Sequence, residues 1–287
     1  MTSSNVGTLY IVATPIGNLK DITLRALEVL KSVDCIVAED TRHSQPLLRN
    51  YSISTPMLTL HDHNEREFSQ KILARLLQGQ SVALISDAGT PLISDPGYFL
   101  VREARASGIQ VVPLPGACAA IAALSVCGLA TDRFSFEGFL PPKSMARNQR
   151  LECLKEDGRT LVFYEAPHRI LGSLEAMASV LGGNRQAVMA REITKIFETI
   201  KSDTLEGLIN FVKNDANQQR GEIVLIVGGC QESNEIKPEF ENLLRILLEN
   251  LPLKKAVEIV TKITGQKKNS VYQLALSLSK NSSQPSD

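Results

Sequence analysis

The sequence predicts two consecutive α/β domains followed by a short helical segment. Three observations carry this. Short β-rich runs alternate with longer stretches whose apolar residues recur at helical spacing, the pattern of a largely parallel sheet covered on both faces. The chain has 287 residues, against roughly 100–200 for an ordinary domain, and a new series of strands begins after Gly128. From Pro238 onward the strand pattern stops and only helical spacing remains.

In the first half, residues 8–13 (TLYIVA) are β-rich and stop at Pro15 and Gly17. Residues 21–31 repeat apolar residues, Ile22, Leu24, Ala26, Leu27 and Leu30, at helical spacing. Residues 35–38 (CIVA) form a second strand that ends at Glu39 and Asp40, with a helix opening near Thr41. Residues 57–60 are a third strand, 65–77 a helix, and 81–86 (SVALIS) a fourth strand running into DAGTPLISDPG. A helix over 98–107 and a fifth strand over 110–113 complete the half, which ends at Pro115-Gly116.

The second half carries strands at 134–138, 160–164, 187–191, 197–201 and 222–227, and a helix at 167–181. The strands on either side of residue 193 are close enough to pair, so this sheet is expected to be mixed. The expected divisions are 1–116 and 117–232 for the α/β domains and 238–280 for the helical segment. Its three stretches are 239–249, 253–264 and 268–280, and the break at Thr264-Gly265 has the form of a helix-turn-helix. Residues 281–287, all small or polar, are expected to be a disordered tail.

Composition narrows the class. At 43% hydrophobic residues there is ample material for cores, but no run approaches the ~18 apolar residues of a membrane span. The N-terminus lacks the basic and apolar regions of a signal peptide, so the expected location is cytoplasmic, away from membranes. The five cysteines are scattered without CxxC spacing and are expected to be buried thiols rather than disulfides or zinc ligands. His61 and His63 flank Asp62, but no further ligand cluster accompanies them, so no metal is expected. A net charge of zero argues against broad nonspecific nucleic-acid binding, leaving local basic patches to make any RNA contact. One is KSMARNQR after Pro141-Pro142, expected to be a mobile loop presenting Lys143, Arg147 and Arg150. The other is Lys254, Lys255, Lys262, Lys267 and Lys268 in the helical segment. A solvated helix surface is the competing reading of both.

In open α/β sheets ligands bind beyond the carboxyl ends of the strands. The informative stretches are therefore Thr14 to Leu19, Glu39 to His43, Asp87 to Pro91 with Ile93 to Gly97, and Leu114 to Cys118. They contain neither a G-x-G-x-x-G nor a P-loop pattern.

The strings TLYIVATPIGNLKDITLRALEVLKSVDCIVAEDTRHS, LISDAGTPLISDPG, VVPLPGACAAIAALSVCGL and YEAPHRI resemble the tetrapyrrole methylase family, in its branch that modifies ribosomal RNA. The resemblance runs from about Leu9 to Gly229 and extends to the helices beyond. It implies two α/β domains with S-adenosylmethionine (SAM) in the cleft between them, usually in a homodimer. The implied reaction is methylation of the ribose 2′-hydroxyl of a cytidine in the decoding region of 16S rRNA, free or within the small ribosomal subunit. The family's first loop corresponds to Thr14–Leu19. Its Gly-Asp-Pro loop corresponds to Gly89-Thr90-Pro91, with Thr90 for the acid. Its Pro-Gly-x-Ser-Ser element corresponds to 115–119, with Cys118 and Ala119 for the serines. These departures point to a cofactor held largely by main chain. The resemblance thus implies a cofactor site of Pro15, Gly17, Asp87, Gly89, Thr90, Ile93, Pro115, Gly116, Ala117, Cys118, Tyr164 and Ala166.

A ribose hydroxyl is a weak nucleophile and needs a base or an alkoxide-stabilising group. The candidates are Asp40, Asp87 and Glu165. Asp40 is equally placed to cap the helix at Thr41, and Glu165 to pair with Arg169 one turn on. His168, behind Pro167, fits a capping role as well as a catalytic one. Arg42, Arg169, Arg191 and Lys195, with Lys143, Arg147 and Arg150, are the expected RNA contacts. Two alternatives remain: a SAM-dependent methylase of a tetrapyrrole or other small molecule, and a noncatalytic ribosome-assembly factor.

Overall fold

A computed structural model describes residues 6–60, 65–230, 238–266 and 268–281. Five strands form the first sheet: β1 (Thr8–Val12), β2 (Cys35–Ala38), β3 (Met57–Thr59), β4 (Val82–Ile85) and β5 (Gln110–Leu114). Their order is β3-β2-β4-β1-β5, and every pairing is parallel. Because successive side chains leave a strand on opposite faces, CIVA supplies two cores. Ile36 and Ala38 join Leu30 of α1 (Leu24–Ser32) and Leu47 of α2 (Thr41–Asn50). Cys35 and Val37 join Ile72 of α3 (Glu65–Leu77) and Leu100 of α4 (Tyr98–Ala106). All four residues of β2 and all four of β4 are buried, as expected of a parallel sheet covered on both sides.

The chain crosses to the second sheet through α5 (Ala119–Val126). The sheet contains β6 (Phe134–Phe139), β7 (Thr160–Glu165), β8 (Gln186–Arg191), β9 (Thr199–Thr204) and β10 (Ile223–Val227), in the order β6-β7-β10-β8-β9. Only β6 and β7 are parallel, so the sheet is mixed, as the spacing around residue 193 requires. One face packs Phe163, Met189 and Leu225 under α6 (Ser144–Leu154), α7 (Ile170–Leu181) and α8 (Leu205–Asn214). The other packs Val162, Val188 and Ile226 under Ala120, Ala123 and Leu124 of α5.

The mobile loop expected at 143–150 is corrected: it is the first part of helix α6. Leu151 and Leu154 anchor that helix in the core, and the basic stretch is its polar beginning. The stretch 167–181 divides into a single 3-10 turn, Pro167–Arg169, and α7. Of the thiols, Cys35 and Cys127 are buried as expected, whereas Cys153 is exposed.

Both sheets and their helices belong to one compact unit, Met1–Cys230, and Gln231–Asp287 forms a second. The second unit contains α9 (Pro238–Asn250), α10 (Leu253–Thr264) and α11 (Lys268–Asn281) around Leu244, Val257, Val260 and Val271. Gly265 closes α10 in the left-handed conformation, φ 69°, the usual C-terminal stop. His61, His63, Lys267 and residues 282–287 of the expected tail lie outside the described residues.

Phe163 is fully buried in the second sheet's core. Phe163→Ala is expected to lower the unfolding free energy by about 3–5 kcal/mol, read as a shift of the urea midpoint at unchanged slope.

Candidate active site

Three loops at the carboxyl edge of the parallel sheet are tied together. Thr14, after β1, and Gly89, after β4, exchange two backbone hydrogen bonds of 2.8 and 3.0 Å. The Thr14 hydroxyl donates to the Ser86 carbonyl at 3.1 Å and the Ser86 hydroxyl to the Gly89 carbonyl at 2.9 Å. Thr90 then donates to the carbonyl of Ala117, after β5, at 3.0 Å. Gly89 has φ 83°, a conformation that L residues adopt at a cost. Leu92 and Ser94 nearby, and Glu192 and Thr194 in the β8–β9 turn, are also left-handed. The far end of the β4 loop is held by Glu65, whose Oε1 accepts from the N–H groups of Gly97 (3.1 Å) and Phe99 (2.8 Å) at the start of α4.

A cavity of about 400 Å³ opens above this floor. From the first sheet it is lined by Ile16, residues 87–90 and residues 93–95. From the second it is lined by Phe139, residues 164–167, Ile193 and residues 221–224, with Ala119 between. A smaller groove of about 240 Å³ adjoins it and shares Ile16, Asp87, Ala88 and Glu222. Pro15, Gly17, His43, Pro46 and Lys195 line the groove alone. Gly17 is required there because a Cβ would lie 2.4 Å from Lys195 Cγ.

The electrostatics are acidic. Asp95 is pushed up to about 6 by burial first, then by the charges of Glu39 and Asp87, with a Ser86 hydrogen bond opposing. Burial, then the neighbouring Cys118, raises the Tyr164 phenol. That phenol oxygen accepts from the Ala120 N–H at 3.3 Å, and its ring meets Phe136 edge-on at 4.9 Å. Asp87 accepts from the Asp40 N–H (3.2 Å) and lies 3.0 Å from Nδ1 of His43. Asp40 is held well below the usual carboxylate range by hydrogen bonds from the Arg42 side chain and backbone.

Of the expected cofactor residues, Asp87, Gly89, Thr90, Ile93, Tyr164 and Ala166 line the cavity, and Pro15 and Gly17 the groove. Pro115, Gly116, Ala117 and Cys118 are not among the cavity's lining residues. Gly116 packs against Ala13, where a Cβ would come within 2.7 Å, Ala117 anchors Thr90, and Cys118 neighbours Tyr164.

The three carboxylate candidates separate. Asp40 caps α2 at the Arg42 N–H and grips the Arg42 guanidinium. Glu165 is buried and takes the Ala166 N–H (2.8 Å), the Ser173 hydroxyl and the Arg169 charge (3.4 Å). Asp87 alone lines both spaces. His168 lies in the 3-10 turn, where Ala166 is the cap residue.

The expected RNA contacts need correction at Arg191. It is 7% exposed, and its guanidinium donates to Gln218, Thr199 and the carbonyls of Phe197 and Arg220. It braces the β8–β9 hairpin rather than facing a partner. Arg169 donates to the Leu140 carbonyl, Lys195 bridges Glu192 (2.8 Å) and Glu222 (3.0 Å), and Arg150 pairs with Glu137. Arg147 is half-buried and Lys143 exposed at the head of α6. Sequence reasoning missed Ile16, Phe139, Ile193 and Glu222 as lining residues. It gave His43 and Asp95 no role, although both stand in the post-strand stretches that it singled out.

Among the described residues no cluster of three metal-ligating side chains occurs, and no helix is long and apolar enough to cross a membrane.

The fold and cavity define a two-sheet α/β protein with a cavity at its parallel sheet edge. The chain belongs to the Tetrapyrrole (Corrin/Porphyrin) Methylases, whose family model matches residues 8–209. Residues 234–279 match the RsmI C-terminal HTH domain. A Haemophilus influenzae protein named ribosomal RNA small subunit methyltransferase I is 56% identical, covering 94% of this chain and 96% of its own length. The protein of that name from Pseudomonas aeruginosa is also 56% identical, covering 95% and 98%. Uroporphyrin-III C-methyl transferase from Thermus thermophilus, solved complexed with S-adenyl homocysteine, shares the fold. Its TM-score is 0.55 at 17% identity, over 77% of this chain and 97% of that one.

A carboxyl raised by burial binds its proton in the folded state and has lost it when unfolded at the same pH. Its ionisation therefore destabilises the fold as pH rises from about 4 through about 6. Asp95→Asn is expected to add about 1 kcal/mol of stability at pH 8, after discounting for solvent screening. The gain should vanish below about pH 4, measured as paired thermal melts.

Proposed function

We propose that this protein transfers a methyl group from SAM to the ribose 2′-hydroxyl of a cytidine in the decoding region of 16S rRNA. Near full-length likeness to proteins named for small-subunit ribosomal RNA methylation supports the reaction class and the polymer. The 2′-oxygen of a cytidine rests on the motif resemblance. The observation that carries the reading is Asp87 at the junction of the larger cavity and the smaller groove beside it. Such an arrangement separates a bound donor from an acceptor reaching in from outside.

The residues present fit SAM. A cavity of about 400 Å³ is within the range of small-molecule sites, roughly 300–1,000 Å³. Ile16, Ile93, Ile193, Ile223 and Val224 offer apolar walls, and Tyr164 and Phe139 aromatic ones. Asp87 and Asp95 complement a cationic ligand. At Gly89 a Cβ would stand 3.4 Å from Ile16 and 3.7 Å from the Ala117 carbonyl, so the absent side chain leaves the main chain open to the ligand. The cofactor supplies a methyl group activated on a sulfonium. The protein supplies position: the laced loops fix the floor, and Asp87 fixes the groove wall where the acceptor enters. Asp40 and Glu165 serve this frame as cap and brace, which leaves Asp87 as the candidate carboxylate that borders the acceptor's groove. Lys143, Lys254 and Lys255, all exposed, are the proposed first phosphate contacts. The reading includes a homodimer working in the bacterial cytoplasm on rRNA or the small subunit.

Labelled SAM and small subunits from a strain lacking this protein provide the test. Label is expected in 2′-O-methylcytidine after nucleoside analysis. Gly89→Ala should weaken S-adenosylhomocysteine binding at least about tenfold and, because of its φ of 83°, also lower the melting temperature, and Asp87→Asn should slow transfer about 100-fold. Transfer to a porphyrinoid and not to RNA would overturn the reading.

A further inference from the structure

We propose that His43, oriented by Asp87, is the base that takes the proton from the acceptor hydroxyl; this rests on the methyl-transfer reading above.

Asp87 is engaged twice by the first turn of α2. Its Oδ1 accepts the Asp40 N–H at 3.2 Å, and its Oδ2 lies 3.0 Å from His43 Nδ1. An ionised carboxylate accepts hydrogen bonds and donates none, so Nδ1 carries the hydrogen. In the neutral ring the lone pair then sits on Nε2. The carboxylate also stabilises the imidazolium that forms when Nε2 takes a proton. His43 lines the groove that shares Asp87, Ile16, Ala88 and Glu222 with the main cavity. Its side chain is 72% exposed, so a proton taken from the acceptor can pass on to water.

The competing oxygens are occupied. Asp40 is gripped by Arg42 through both oxygens, and Glu165 is buried against Ser173, Ala166 and Arg169. The charged groups facing His43 are Asp40 and Arg42 on its own helix, Asp87 from the β4 loop, and Lys195 and Glu222 across the groove. Lys195 is neutralised by Glu192 and Glu222.

The step balances without a further reactant. As the hydroxyl oxygen forms its bond to the methyl carbon, its O–H bond breaks and the proton moves to Nε2 of neutral His43. The electron pair of the breaking carbon–sulfur bond stays on sulfur. The protonated ring then returns its proton to solvent.

The test uses the full-length protein. In single-turnover transfer to unmodified subunits, His43→Ala and His43→Gln are expected to be about 100-fold slower than wild type. S-adenosylhomocysteine binding should stay within about twofold, and added imidazole should recover part of the Ala variant's rate. The wild-type rate should rise with pH along the titration of His43 followed by NMR, and both variants should lose that limb. If wild type methylates the subunits and both variants stay within about threefold of it, the proposal is overturned. A wild type that binds S-adenosylhomocysteine yet leaves all RNA unmethylated overturns the function itself. The NMR arm needs no acceptor. A neutral ring protonated on Nδ1, with that preference lost in Asp87→Asn, supports the dyad, and a ring protonated on Nε2 overturns it.

Discussion

The pairing of Thr14 with Gly89 is the constraint on which the site depends. Strand ends at a parallel sheet's carboxyl edge leave backbone groups without ladder partners, and burying them unpaired would cost about 1–3 kcal/mol each. Thr14 is 2% exposed, so water cannot fill that need. The chain meets it with two reciprocal backbone bonds and with the hydroxyls of Thr14 and Ser86. One consequence is that Gly89 must adopt φ 83°. Another is that the loops after β1, β4 and β5 share one set of hydrogen bonds and cannot move independently. The cavity floor is rigid because its polar atoms bond to one another.

Strain is placed around that floor. Leu92 and Ser94 on one side, and Glu192 and Thr194 on the other, hold left-handed backbones without being glycine. Each such residue costs about 1–3 kcal/mol and persists only where its surroundings fix it. Here the surroundings do: Glu65 holds the end of the first loop, and Lys195, Glu192 and Glu222 hold the second. Ile93 and Ile193, each flanked by such residues, line the cavity from the first and second sheets.

The alternation of strands and helices was legible because each buried strand is a short, unbroken apolar run bounded by turn residues. Helices α5, α6 and α8 were not read. AAIAALSV has no polar face to show a helical period, because its small residues pack flat on Val162, Val188 and Ile226. In α6 the anchoring leucines, Leu151 and Leu154, come only after the basic stretch. At the site, the loops were legible from their place after strands, and the cap at Asp40 and the Glu165–Arg169 pair were legible as one of two roles for each carboxylate. The grip of Arg42 on both Asp40 oxygens and the Ser173 hydroxyl on Glu165 were not, because they depend on side-chain geometry that spacing does not give. Arg191 reads as a cleft cation, yet its four acceptors come from segments up to 29 residues away.

The same commitments bear on how RNA would be held. Arg42, Arg150, Arg169 and Lys195 each already face a carboxylate: Asp40, Glu137, Glu165, and Glu192 with Glu222. A phosphate reaching any of them replaces an existing ion pair rather than condensed counterions, so each such contact adds less to the salt dependence of binding than an unpaired cation does. A chain of zero net charge with neutralised cleft cations gains little from long-range attraction to a polyanion. Selectivity on ribosomal RNA must then come from fit at short range. The place for such fit is the small groove of about 240 Å³ that Asp87 and His43 line.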